Sequence, residues 1–128
     1  MKLQELSQGV AIFIFNDKQE ILLLLRKMGG QVGFWEVPTG HIKDGEDKIN
    51  AIKREVKEEV DLDISDLKMI GININENLGF EATIYKAEKY TGTAKNLEKD
   101  QHENMEWFAL DKLPSPIGST TNKGLEIL

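Results

Sequence analysis

The chain reads as an α+β domain: a strand-rich segment, one helix, a second strand-rich segment and a second helix. Three observations predict this. Residues 9–15 and 20–26 are short runs rich in β-branched, leucine and aromatic residues, separated by turn formers. Residues following Glu46 carry Ile49, Ile52, Val56 and Val60 at helical spacing. Ile70, Ile72 and Ile74 alternate with Gly71, Asn73 and Asn75, the period of a strand with one buried face. The expected architecture is a mixed sheet with the central helix and a C-terminal helix packed on it.

Each element has its own local signal. Residues 9–15 predict a buried strand, Asn16-Asp17-Lys18-Gln19 a turn, and residues 20–26 a second strand that completes a hairpin. Residues 26–33 form a basic, glycine-rich loop. Arg26 and Arg54 are the two arginines of the chain, and Arg26 and Lys27 are candidates for binding substrate phosphates, with solvated loop charges as the alternative. Residues 34–37 predict a short strand running into Pro38. Residues 63–66 read as a connection, and residues 67–75 and 80–90 as strands joined by the hairpin turn Asn77-Leu78-Gly79. Residues 91–104 are polar and read as a mobile loop. Residues 105–110 predict a last strand, and Thr120 or Thr121 the cap of a helix reaching Leu128. Phe34, Trp35, Phe80 and Trp107 can each stack a nucleobase, although core packing suits each of them too; Trp35 is taken as a substrate contact.

Length and composition bound the function. At 128 residues the chain is read as one domain, residues 1–128, long enough to bury a core. The net charge of −6 speaks against nonspecific binding to nucleic acid or to anionic membranes. An acidic protein acting on an anionic substrate needs cations at its site. The chain has no cysteine, which excludes disulfides, thiolate metal sites and a cysteine nucleophile. No apolar run reaches the length of a membrane span, and Met1-Lys2-Leu3-Gln4-Glu5 does not read as a signal peptide. A cytoplasmic protein is expected; a homodimer is left open.

Residues 40–62 carry the chemistry. Lys43-Asp44-Gly45-Glu46-Asp47 supplies turn and capping residues, so the helix is expected to start near Glu46 or Asp47. At about 100° per residue, Glu55, Glu58 and Glu59 share an arc beside the apolar stripe. Carboxylates at such spacings repel. A divalent cation with oxygen ligands relieves that repulsion, and Mg²⁺ or Mn²⁺ suits it. Ion pairing with Lys53, Arg54 and Lys57 on a solvated helix is the competing reading of the same residues.

The wider pattern is Gly40, five residues, Glu46, seven residues, then Arg54-Glu55-Val56-Lys57-Glu58-Glu59. It resembles the signature of the Nudix hydrolase family. The likeness extends upstream through Trp35-Glu36-Val37-Pro38-Thr39-Gly40-His41, and downstream through Asn96-Leu97-Glu98, residues 103–108 and Leu113-Pro114. Asp61 and Thr39 stand where that family commonly has glycine. Asp61 falls just past the helix, where a left-handed conformation is expected, and Asp tolerates that better than most residues.

The resemblance implies an α/β/α sandwich and hydrolysis of a nucleoside diphosphate-linked compound by in-line attack of water. It implies Glu55 and Glu59 as metal ligands, with the carbonyl of Gly40. Glu58 becomes a further ligand or the base that takes the proton from water, and Arg54 orients a carboxylate of the motif. Glu46 is implied as a structural partner near the loop. Glu103 is implied as a loop glutamate that completes the metal site or acts as base, with Glu98 and Glu106 as competitors. The substrate expected first is a small nucleotide, a nucleoside triphosphate cleaved to monophosphate and pyrophosphate, as in the MutT-like branch. ADP-ribose, nucleotide sugars and diadenosine polyphosphates are the alternatives, followed by a non-catalytic nucleotide-binding domain.

Overall fold

The structure is a computed structural model that describes residues 6–128. Its elements are β1 (Ser7–Phe13), β2 (Glu20–Arg26), β3 (Trp35–Glu36), β4 (Thr39–His41), α1 (Lys48–Val60), β5 (Asp63–Asn75), β6 (Phe80–Thr91), β7 (His102–Ala109) and α2 (Ser119–Ile127). They form two sheets. The mixed sheet runs β4-β1-β6-β5, with β1 and β6 parallel; the antiparallel sheet runs β3-β2-β7.

The expected β1–β2 hairpin does not form as a ladder. Asn16 does make the turn: its Oδ1 accepts from the amides of Lys18 and Glu20. Beyond a single bridge between Phe15 and Ile21 the two strands part into different sheets. The reason lies in their composition. Both strands are apolar on both faces, so each needs cover on both sides and each is central in its sheet. Alternation then builds two cores. Val10, Ile12, Ile14, Leu22 and Leu24 pack with Ala51, Ile52, Val56 and Val60 of α1. Ala11, Phe13, Ile21, Leu23 and Ile84 face the other way, with Leu125 of α2 packed against them. The outcome is the expected helix–sheet–helix sandwich.

Helix α1 is bounded as its sequence predicts. Asp47 is the N-cap and accepts from the amide of Asn50 at 2.7 Å. Asp61 closes the helix in the left-handed region, at φ 61° and ψ 35°, and its amide donates to the carbonyl of Lys57. The buried face is rotated from the expected one. Ile49 is exposed, whereas Ala51 and Glu59 are buried.

Four further expectations are corrected. Residues 63–66 are the start of β5, not a connection. A bulge between Met69 and Gly71 then shifts the alternation of β5 by one residue. Gly71, Asn73 and Asn75 therefore face α2, while Ile72 and Ile74 are exposed. The amides of Asn73 and Asn75 bond the hydroxyls of Ser119 and Thr120. Residues 91–101 are pinned to the end of α1, because Lys95 and Leu97 donate their amides to the carbonyls of Val60 and Glu59 at 2.9 and 3.0 Å. Finally, neither Thr120 nor Thr121 caps α2. Gly118 is the N-cap, and the buried carboxylate of Glu36 accepts from both the amide and the hydroxyl of Thr121. That contact anchors the start of α2 beside β3 and β4.

Helix α2 lies close on the sheet at Gly124, where a Cβ would collide with the ring of Phe13. Gly124→Ala gains about 1 kcal/mol of helix propensity but overpacks this contact by about 1–3 kcal/mol. Loss of stability is therefore expected, read as a lowered urea midpoint with an unchanged m-value.

Candidate active site

Arg54 ties the loop before α1 to the helix. Its Nε and Nη2 grip the Glu46 carboxylate at 2.8 and 2.9 Å. Its Nη1 donates to Glu55 at 2.9 Å and to Glu58 at 2.8 Å, and Nη2 also donates to the carbonyl of His41 at 3.0 Å. Glu46 further accepts from the amide of Lys43. The guanidinium holds the Glu46 carboxyl down at about 2, and its three carboxylate partners keep Arg54 itself above the usual arginine range. A lysine has neither the donor number nor the planar fork for this arrangement.

Beside this hub a cleft of about 500 Å³ opens between the two sheets. Glu55, Glu59 and Glu98 line it together with Gly40. Glu59 is 5% exposed, and its Oε1 has no hydrogen-bond partner. Burial pushes its carboxyl well above the ordinary range, and the charges of Glu55 and Glu98 add to this; Arg26 opposes them only in part. Burial also raises Glu55 against the pull of Arg54. Burial, then Glu55 and Glu58, raise Glu98. Glycine at position 40 is required by packing, since a Cβ there would overlap the Glu55 carboxylate.

These donors suit a hard divalent cation: clustered carboxylate oxygens, one buried and orphaned, with too little positive charge nearby. Among the described residues no three His, Asp or Glu side chains form a ready-made metal cage.

Arg26 also lines the cleft, at the end of β2, where a register shift sets it opposite His102. Its Nε donates to the carbonyl of Gly30 at 2.7 Å, so it shapes the glycine-rich loop as well. Leu78, Phe80, His41, Ser119 and Thr120 line the cleft as well. Phe80 and His41 meet edge to face with ring centres 5.4 Å apart.

The other candidates lie elsewhere. Glu58 is held by Arg54 and exposed, outside the residues that line the cleft. Lys27 is exposed and joins the site only through its backbone amide, which donates to Gln101. Trp35 packs edge to face on Phe108 at 5.0 Å in the core beneath α2. Glu103 is exposed on β7 and does not line the cleft, whereas Glu98 does. The pinned loop explains this difference: the Leu97 amide on the carbonyl of Glu59 sets the next residue, Glu98, against the acidic cluster. Glu36, Gln101, Ser119 and Thr120 line the cleft without having been singled out as site residues. A charged residue inside a short apolar strand was the available signal for Glu36. A larger and shallower depression of about 830 Å³, by Phe15, Lys86 and Tyr90, has exposed charges of both signs and no comparable acidic cluster.

A family model for the NUDIX domain matches residues 5–125. The chain belongs to the Nudix hydrolase family. A MutT NUDIX hydrolase from Burkholderia pseudomallei superposes with a TM-score of 0.88 over 95% of this chain and 97% of that one, at 31% identity. The dihydroneopterin triphosphate diphosphatase of Escherichia coli (strain K12) is 28% identical over 102 residues, 79% of this chain and 62% of that enzyme. Nudix hydrolase 8 of Arabidopsis thaliana is 33% identical over 75 residues, 57% of this chain and 20% of the plant protein. The chain thus spans between 20% and 62% of the length of these two curated Nudix relatives.

His102 gives this site a pH signature in stability. Burial, reinforced by Arg26, lowers it from 6.5 to about 4, and its Nδ1 has no partner. Between those values the unfolded chain takes up a proton that the folded chain refuses. Stability is therefore present above pH 6.5 and lost as pH falls towards 4, by on the order of 1–3 kcal/mol. His102→Gln is expected to flatten this part of the pH–stability curve, measured by urea titration at a series of pH values.

Proposed function

We propose that the protein is a metal-dependent pyrophosphohydrolase that cleaves a nucleoside triphosphate to nucleoside monophosphate and pyrophosphate, with one water consumed. The observation that carries this reading is the buried Glu59 carboxylate, whose Oε1 has no hydrogen-bond partner, flanked by Glu55 and Glu98 in a cleft that also holds Arg26. Likeness over nearly the whole length of a MutT NUDIX hydrolase supports the substrate class, as does the relative named for a triphosphate substrate.

In this reading Glu55, Glu59 and the carbonyl of Gly40 hold the ion. A bound Mg²⁺ or Mn²⁺ screens the phosphate charge and polarises the phosphorus–oxygen bonds. Arg54 positions Glu55 and Glu58 through the two bonds from its Nη1. Arg26, which lines the same cleft, neutralises a phosphate oxygen. Glu98, whose raised affinity for protons suits a base, accepts the proton of the attacking water. This moves to Glu98 the role that the sequence assigns to Glu103. Phe80 and Leu78 offer apolar surface to the nucleoside, and Ser119 and Thr120 offer it hydroxyls.

The substrate test is incubation with Mg²⁺ and a panel of ordinary and modified nucleoside triphosphates, ADP-ribose, nucleotide sugars and diadenosine polyphosphates. Monophosphate plus pyrophosphate from a triphosphate, abolished by chelation, is expected. Turnover confined to the diphosphate-linked compounds would overturn the substrate class. In the same assay Glu98→Gln is expected to lower kcat by about 10²–10⁴-fold, while Glu103→Gln stays within about twofold of wild type.

The metal assignment has a readout independent of turnover. Folding raises the proton affinity of Glu59, so its ionised form destabilises the metal-free protein at neutral pH. Glu59→Gln is expected to raise Tm without metal and to abolish most of the Tm gain that Mg²⁺ gives the wild type. An equal gain in both proteins would remove Glu59 from the metal site.

A further inference from the structure

We infer that the outer edge of β5 is a self-association surface, on which a second copy of this chain pairs antiparallel and continues the mixed sheet. Among the described residues β5 is an edge strand, bonded to β6 on one side only. It is 13 residues long, and its two halves differ. The first half carries three register irregularities, together with Asp63, Asp66 and Lys68, features that obstruct edge pairing. The second half, Gly71-Ile72-Asn73-Ile74-Asn75, is regular in register and bears no charge. Nothing there blunts the edge.

This half, together with Met69 just before its bulge, carries the apolar surface that such a contact needs. Met69 is 57% exposed, Ile72 41% and Ile74 45%. Met69 pairs with Tyr85, whose ring lies in the α1 core, so Met69 points to the α1 side of the sheet. After the one-residue shift at Gly71, which pairs with Ile84 of the α2 core, Ile72 and Ile74 return to that same side. The first turn of α1 borders this strip: Asp47 acts on the phenol of Tyr85, and Ile49 beside it is exposed. Helix α1 covers β5 at Ile64 and Leu67 and leaves the rest bare.

One register satisfies the strip. If Ile72 pairs with Ile72 of the partner subunit, the bulge brings Met69 opposite Ile74 of the partner subunit, and the reverse by symmetry. All three apolar pairs then share one face. Lys68 comes within one residue of Glu76 of the partner subunit. Its present contact, with Glu88 at 3.8 Å, joins two exposed side chains and is easily exchanged. The same edge inverted matches the exposed Met69, Ile72 and Ile74 residue for residue.

The absence of cysteine makes the register directly testable. Sedimentation velocity from about 1 μM to about 1 mM, a range that spans weak to moderate association, is expected to show a species of twice the 14.5 kDa chain. Ile72→Lys sets two ammonium groups face to face and should weaken the dimer at least tenfold, while Leu110→Lys, at an exposed site elsewhere, leaves it unchanged. Opposed strand positions lie within disulfide reach. Mild oxidation of Ile72→Cys should therefore give a covalent dimer, and that of Leu110→Cys, exposed beyond β7 in the other sheet, should not. A wild type that stays monomeric throughout, a dimer indifferent to Ile72→Lys, or equal cross-linking at the two cysteines would each overturn the proposal.

Discussion

Arg54 donates to three carboxylates and one carbonyl, and the organisation of the acidic helix depends on it. Without that guanidinium, Glu46, Glu55 and Glu58 would converge beside α1 with no counter-charge in contact. With it, the loop before the helix is closed against the helix, and Glu55 is aimed at β4, where only glycine at position 40 leaves room. The side chains of Arg54 and Glu55 are largely sheltered, so their pairing is screened less than that of an exposed pair. Glu59 lies beyond this hub's reach. Its Oε1 is buried without a hydrogen-bond partner, and Arg26 offsets the effect of burial only in part; that contrast separates the structural carboxylates from those available to a cation.

The second half of the site is contributed from far along the chain. Three backbone features bring it in. The left-handed Asp61 ends α1, the carbonyls of Glu59 and Val60 are then free to accept from the following loop, and that loop delivers Glu98 and Gln101 to the cleft. Satisfying the last carbonyls of a helix is a structural requirement in its own right. Here it also fixes the distance between two clusters of charge. Glu36 does comparable work from β3. Its buried carboxylate accepts from the amide and hydroxyl of Thr121, which sets the first turn of α2, with Ser119 and Thr120, in the lining of the cleft.

The helix that carries the acidic motif was legible because capping, spacing and charge all act over a few residues. Asp47, Asp61 and the sequence from Arg54 to Glu59 behave as local chemistry predicts. The β1–β2 pairing was not legible, because turn residues specify a reversal but not which neighbours two fully apolar strands acquire afterwards. The face of β5 was misread for a related reason. A single inserted residue at the bulge inverts the inside and outside of everything after it, and the alternating isoleucines look the same either way. Glu103 and Glu98 are both loop-region glutamates by sequence, and only the anchoring of Leu97 distinguishes them.

Sequence by itself therefore determined the family, the acidic helix with its arginine, and the layered α+β architecture, since these rest on periodicity and on spacing within one element. Tertiary structure alone decided which carboxylate is buried without a partner, which distant glutamate joins it, and which apolar residues of β5 remain uncovered. Each of those outcomes depends on two or more segments far apart in the chain meeting at one place, and burial, the dominant influence on these charges, exists only once they have met.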